Sequence, residues 1–451
     1  MKRPLLALAG LCAVYLALAV PSSLMIPAWE ANDEADHVFY AQRVLRARQV
    51  PYIDAANGHE AHQPPLYYAA ASIWQRLLRI ETFDPQVQYL PQTANTIIAP
   101  SAPTLQLMVG HDYTDEQRRH AVNVHILRVL SILYGLATVV LTYVAGRMVS
   151  GRDDIALAAA AFVAFLPKFQ VVSATFTNDS LVIALASLAL VLLLALIRGL
   201  PPAASAYGAF GLGAVVGAAL ITKLNAAVLI PVVGIGLLLA RAPLLHRALQ
   251  IGLAGLGFLL AAGWWFSRNH VLYHDLLARD ISRDYLRPLL PGLVDPVPIW
   301  DADRFLYFVP ESLFRTAWYT GGWNQFVGPF AANLVLWLAV GVALFAWGRA
   351  VLAGPRVPGW NIPQPEAVCL SVTALAGLAA VVLVARDTLQ AEGRVAYVGL
   401  TAFAIIAVTG LEQATGGSRR ARTAALATFP TMLLAYEIYV LARYVLPFRG
   451  L

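Results

Sequence analysis

The chain has 451 residues, of which 59% are hydrophobic and 13% charged, with a mean hydropathy of +0.64. Soluble globular proteins carry about 25% charged residues, so this composition excludes a soluble domain and defines an all-α polytopic membrane protein. A net charge of +6 would suggest nucleic acid as a partner of a soluble protein, but here the arginines sit in short loops between apolar runs, where they set topology, and no nucleic-acid partner is expected. Cys12 and Cys369 both lie inside apolar runs, so no disulfide framework is expected.

A hydrocarbon layer roughly 30 Å thick takes about 20 apolar residues per helix. The pattern predicts about eleven spans, at 4–26, 121–149, 154–175, 178–198, 205–221, 224–240, 246–267, 326–348, 365–385, 391–412 and 423–447, in one domain covering 1–451. Lys2 and Arg3 ahead of the first run resemble the start of a signal peptide. The run is long and no A-x-A site precedes Pro27, so it is read as an uncleaved first helix. Two long connections remain, 27–120 and 268–325. With the N-terminus inside, the short cytoplasmic connections carry Arg147, Arg152, Arg198, Arg241, Arg247, Arg349, Arg356, Arg419, Arg420 and Arg422. Arginine gathered on one side in short loops is the expected bias, and both long loops then lie outside.

The first external loop holds the densest polar chemistry, in PAWEANDEADHVFYAQRVLRAR and GHEAHQPPLYY. The first stretch predicts a short helix from Asn32 to about Arg48 lying in the interface plane, with Val38, Phe39, Val44 and Leu45 apolar and Arg43, Arg46 and Arg48 basic. Asp33, Asp36, His37 and Tyr40 then share one face. Asp33 or Asn32 acting only as a helix cap is the simpler alternative, but it leaves His37, Glu60 and His62 unexplained. The diproline Pro64-Pro65 sets an extended entry into a further helix from Leu66. Glu60 and the histidines at 59 and 62 leave a divalent metal ion open at low specificity, and HDYTDE at 111–116 reads as a solvated turn. The same parity puts Lys168, Asn178, Asp179, Lys223, Arg268, Glu392 and Arg394 on the side of Asp33. Ionisable residues at membrane depth are costly and functional. No Walker loop, Rossmann glycine fingerprint, metal-finger spacing or tandem repeat is present.

The order DE-x-x-H in the first external loop followed by HQPPLYY resembles the membrane-bound GT-C glycosyltransferases of the protein O-mannosyltransferase and aminoarabinose–lipid A transferase type, and the related uncharacterised bacterial integral-membrane branch. Further resemblance lies in ALITKLNA around Lys223, in Asn178-Asp179, in Arg268-Asn269 and in AEGR at 391–394, where Val395 replaces the family's aromatic. It implies a GT-C-type bundle with interfacial helices in the first external loop. It also implies an inverting transferase that moves a sugar from a polyprenyl-phosphate donor to a glycan, lipid or protein acceptor outside the cytoplasm, in a bacterial inner membrane. The family's catalytic base falls on Asp33. Glu60 stands two residues early for the family's second acidic position.

Chemically, a base removing the acceptor proton is worth about 10²–10⁴-fold, and cations stabilise the departing phosphate. The candidates are Lys223, Arg268 and Arg394, with Lys168 behind them, each weighed against snorkelling from a helix end. Glu34, Asp36, His37, Glu60 and His62 are candidates for binding acceptor or sugar. The aromatic second loop, Tyr307, Phe308, Phe314, Trp318, Tyr319 and Trp323, reads as an interfacial belt, or as a lid or lipid groove hinged at Gly321-Gly322. A transporter or flippase of a lipid-linked or small substrate is the alternative from another class, and a catalytically dead scaffold of the same fold the third.

Overall fold

The computed structural model describes residues 2–29, 31–54, 59–83, 115–201, 205–288, 294–322, 324, 326–389, 391–415 and 419–446. In chain order the helices are α1 (Lys2–Met25), α2 (Glu34–Ala47), α3 (Leu66–Leu77), α4 (Asp115–Ser150), α5 (Asp153–Phe165), α6 (Pro167–Ala174), α7 (Asp179–Ile197), α8 (Ala206–Leu220), α9 (Leu229–Leu238), α10 (Leu244–Tyr273), α11 (Arg279–Leu286) and α12 (Val309–Thr316). A two-stranded antiparallel hairpin, β1 (Thr320–Gly321) and β2 (Phe326–Val327), follows. The chain ends with α13 (Phe330–Ala353), α14 (Gln364–Asp387), α15 (Leu400–Ala414) and α16 (Arg419–Val440).

Among the described residues, eight helices are long and apolar enough to cross a membrane. They become nine when α5 and α6, bent by 62° at their junction, count as one span, and α8 and the segment Leu224–Leu238 add two shorter apolar helices. The eleven apolar runs of the sequence correspond to these one for one, and the chain is an all-α polytopic membrane protein. The burial of the spans varies: α7 and α15 sit at the centre, whereas α1 and α10 expose most of their surface.

Close helix contacts depend on small residues, as expected where apolar surface gains little by leaving lipid. At the α8–α10 crossing a Cβ on Gly213 would overlap the Ala254 carbonyl, and one on Gly257 would overlap that of Phe210. The α-helical geometry is interrupted at three places in the apolar segments. Pro167 forces Leu166 into the extended region (ψ 113) and starts α6 in a new direction. Lys223 is extended between α8 and a 3-10 turn (φ −157), and a second 3-10 turn, Gly393–Gly399, leads into α15. The freed backbone groups find partners at these breaks: the Leu66 amide donates to Ile221, the Lys168 amide to Trp318, and Asn225 Nδ2 to the Val395 carbonyl.

In the first long loop α2 and α3 run parallel. Tyr40 stacks on Tyr68 (3.9 Å between centroids), Ser72 donates to Ala41 O, and Arg76 donates to Leu45 O. Val38 is buried between this pair and the adjoining α4, and Leu45 is buried as well, so two of the residues expected to face the bilayer are withdrawn from it. His111 to Thr114 lie outside the described residues; Asp115 and Glu116 begin α4 and are exposed. In the second long loop α10 extends to Tyr273, so Arg268 lies within a helix rather than beyond it. Trp318 and Tyr319 are 2% exposed, which removes them from an interfacial belt. Trp323 lies outside the described residues.

Candidate functional site

Asp33 and Glu34 are adjacent in sequence and have different surroundings. Glu34 is fully buried and takes a two-pronged ion pair from Arg128 of α4, at 2.7 and 2.6 Å. Its oxygens also accept the backbone amides of Trp29 and Phe176. Arg128 in turn donates to the carbonyls of Ser23, Ile26 and Pro27, which lie at the otherwise unsatisfied C-terminal end of α1. This knot locks the turn between α1 and α2. The expectation that Glu34 binds acceptor or sugar is therefore corrected: its acceptor capacity is consumed by the protein. Asp33, one residue earlier, sits in the left-handed region (φ 60) and makes no capping hydrogen bond. The simpler cap reading does not hold in this structure.

The helix breaks deliver the charges around Asp33. Arg394, from the 3-10 turn before α15, meets Asp33 Oδ2 at 3.8 Å, Asp179 Oδ2 at 3.1 Å and Glu392 Oε2 at 2.7 Å. Lys223 Nζ lies 2.5 Å from the other oxygen of Asp179. Lys168, at the start of α6, donates to the carbonyl and hydroxyl of Thr320 on β1 and lies 4.0 Å from Glu392. Glu392 also accepts from Asn324 (3.0 Å) and Asn32 (3.3 Å). Six charged side chains from five parts of the chain thus alternate in sign. Burial by itself would raise the Glu392 carboxyl, but Arg394 and Lys168, with the hydrogen bonds from Asn324 and Arg394, hold it down at about 2. The AEGR motif has a steric reason as well: a Cβ on Gly393 would collide with the backbone of Ala317, and its amide donates to Thr316.

Asp179 and Glu392 are the carboxylates that the sequence-based assignment of site roles left out. Both were conspicuous as polar residues in greasy surroundings. The missing step was that a buried cation requires a buried partner.

Arg394 and Lys168 line a cavity of about 770 Å³, part of it open to solvent, between the end of α1, α6, the β1–β2 hairpin and the segment after α16. Its walls are apolar at Met25, Ile26, Val171, Val172, Phe326 and Val445, and Tyr319 stacks on Tyr444 at 5.4 Å along one side. Gly321 and Gly322, the latter at φ +57, belong to this wall. A cavity with two cations at one end and aliphatic walls can hold an anionic headgroup with a hydrocarbon tail.

His37, one helical turn beyond Asp33, has Nδ1 2.8 Å from the Tyr68 hydroxyl and 3.6 Å from Glu60. Asn178 donates to Tyr68 and to Gln63, both at 3.4 Å, and Gln63 is hydrogen-bonded to His62 at 3.1 Å. Burial, then the neighbouring Glu60, raises the Tyr68 phenol well above its usual range. Asp36 is half-buried on the same helix. Arg268 donates to the carbonyls of Val50 and Pro51, at 3.0 and 2.9 Å, and packs over Tyr52, so that it holds the chain between α2 and α3. Among the described residues, no three His, Cys, Asp or Glu side chains converge on a point suited to a metal ion.

The fold is that of an all-α polytopic membrane protein, and comparison with known proteins places it with the GT-C type. The profile of the dolichyl-phosphate-mannose-protein mannosyltransferase family matches residues 121–266, under half of the chain. Over 98% of its length the chain is similar to ArnT from Cupriavidus metallidurans bound to undecaprenyl phosphate, covering 73% of that chain at 15% identity with a TM-score of 0.53. It is also similar to the Archaeoglobus fulgidus oligosaccharyltransferase (TM-score 0.49, 11% identity), aligning over 100% of this chain and 55% of that one. No curated protein matches the sequence. The GT-C resemblance drawn from the motifs is borne out at the level of the superfamily.

Proposed function

We propose that this protein transfers a sugar from a polyprenyl-phosphate donor to an acceptor hydroxyl on the outer side of a bacterial inner membrane. The observation that carries the reading is the placement of Asp33 3.8 Å from Arg394, a cation that lines the apolar cavity. In this reading the isoprenoid lies along Val171, Val172 and Phe326 and the phosphate meets Arg394 and Lys168. Lys223 acts one step back, holding Asp179 and through it Arg394. Asp33 takes the acceptor proton as the acceptor oxygen attacks the anomeric carbon. The bond from that carbon to the phosphate oxygen breaks, its electron pair leaves with the polyprenyl phosphate, and attack from the opposite face inverts the anomeric centre. The base supplies about 10²–10⁴-fold, and each cation aimed at the leaving oxygen supplies roughly 3 kcal/mol. His37, Tyr68, Glu60 and Gln63 form the polar wall that an acceptor meets beside Asp33.

The outward placement rests on the arginine-rich short loops. Broken spans also occur in transporters, so the test must separate the two. Purified protein in lipid nanodiscs, given a polyprenyl-phosphate hexose and an envelope extract as acceptor, should release free polyprenyl phosphate and a glycosylated product. Movement of intact donor across the bilayer with no covalent product would overturn the transferase reading.

A further inference from the structure

The ends of α2 and α3 carry a group of arginines that the site does not use. Beyond Asp36, α2 contains no carboxylate, and α3 contains none at all. Arg46 and Arg48 stand at the end of α2 and Arg76 and Arg79 at the end of α3, and all four are exposed. The hydrogen bond from Arg76 to Leu45 O sets the two helix ends side by side, so the charges gather in one place. Glu81, two residues past Arg79, is the first carboxylate to follow.

The depth of this group follows from α4. Trp74 Nε1 on α3 donates to the carbonyl of Ile126 on α4. From Ile126 to Arg147, at the opposite end of α4, the helix rises about 30 Å, the thickness of a hydrocarbon layer. The α3 helix therefore lies where acyl chains meet headgroups. Its outward face is apolar there: Ile73 and Leu77, one turn apart, are 60% and 72% exposed. On α4, Val122 and Val129 are exposed on either side of Ile126.

Helix ends alone do not account for the arginines. A cation in the last turn gains from the helix dipole, and Arg46 and Arg76 already fill that role. Arg48 and Arg79 are additional, and both sit in the left-handed region (φ 53 and 55), where glycine is the residue of least strain. We propose that the ends of α2 and α3 form a binding surface for anionic phospholipids. Ile73 and Leu77 enter the acyl layer, and Arg46, Arg48, Arg76 and Arg79 meet the headgroup phosphates. A guanidinium matches a phosphate through two parallel hydrogen bonds. A basic amphipathic helix draws on apolar burial and on anionic headgroups together. The proposal needs the membrane-spanning fold and is independent of the transferase reading.

The experiment places the full-length protein in phosphatidylcholine vesicles doped with a diazirine-bearing phosphatidylglycerol or the matching phosphatidylcholine, then irradiates and maps the labelled peptides. The segment 73–80 should take up the anionic probe about fivefold more than the neutral one. Salt at 1 M, where screening acts within about 3 Å, should remove the difference. A variant carrying Arg48→Gly and Arg79→Gly separates binding from structure. Glycine eases both left-handed positions, so the variant should melt no lower than wild type while its preference for the anionic probe is lost. Equal labelling of the wild-type protein by the two lipids would overturn the proposal. A preference that the variant retains would overturn it as well, and a lower melting temperature in that case would assign the arginines to holding the helix ends. If neither probe labels the segment and a soluble anionic oligosaccharide raises the melting temperature, the surface serves a partner in water and the proposal fails.

Discussion

Arg394 touches carboxylates from three separate parts of the chain, and that geometry sets what substitutions there should do. Lysine retains the charge but offers one compact ammonium where a planar fork now spans Asp33, Asp179 and Glu392. Arg394→Lys should weaken donor-lipid binding at least tenfold in a thermal-shift titration while the protein still folds. Glu392 provides a pH test. Its carboxyl is lowered from 4.5 to about 2, so its stabilisation is complete above about pH 4.5 and fades as the pH falls toward 2. Glu392→Gln should lower thermal stability at neutral pH and flatten the acid limb between those values. Removing one partner of a buried pair costs about 3–5 kcal/mol; Arg128→Met should therefore destabilise by that order in chemical denaturation, because it leaves Glu34 without its cation and the carbonyls of Ser23, Ile26 and Pro27 without their donor. At this scale the sequence revealed which residues were unusual but not how they divide. Asp33 and Glu34 look equivalent as letters, and their different surroundings depend on Arg128, 94 positions from Glu34. Arg268 looked equivalent to Arg394, yet the continuation of α10 to Tyr273 carries it to the Val50–Pro51 backbone.

The helices were the most legible elements, since hydropathy over a span is nearly all that a membrane requires of it. The α2 helix was legible from its periodicity, and the turn into α3 from the diproline. The β1–β2 hairpin was not, because two-residue strands leave no periodic trace; only Gly321-Gly322 marked the bend. The break at Leu166–Pro167 had a visible cause in proline, whereas the extended Lys223 had none in its neighbours and follows from its pairing with Asp179. Small residues at the α8–α10 crossing give a prediction of their own. Gly257→Leu would drive a side chain into the Phe210 carbonyl. Overpacking costs about 1–3 kcal/mol, to be seen as a lower melting temperature without loss of the donor-lipid response.

Across the whole molecule, two clusters of charge stand out beside the Arg128–Glu34 pair. One is the alternating cluster that joins Asp33 to Lys168 and Lys223. The other belongs to the arginine-bearing short loops, where Arg152 pairs with Glu412 at 2.5 Å and Glu366 lies between Arg198 and Arg241 at 3.8 and 3.7 Å. The arginine-bearing loops were legible as a set, since loop parity needs no knowledge of packing. The closure of the first group was beyond reach from sequence: Arg394 and Asp179 are 215 residues apart, and no local pattern specifies such a pairing. The most direct measurement is a transfer assay on Asp33→Asn in nanodiscs with a polyprenyl-phosphate hexose, run beside a donor-binding titration. The account predicts a loss of at least a hundredfold in product formation with donor affinity within a few-fold of wild type. Full transfer by Asp33→Asn would contradict it.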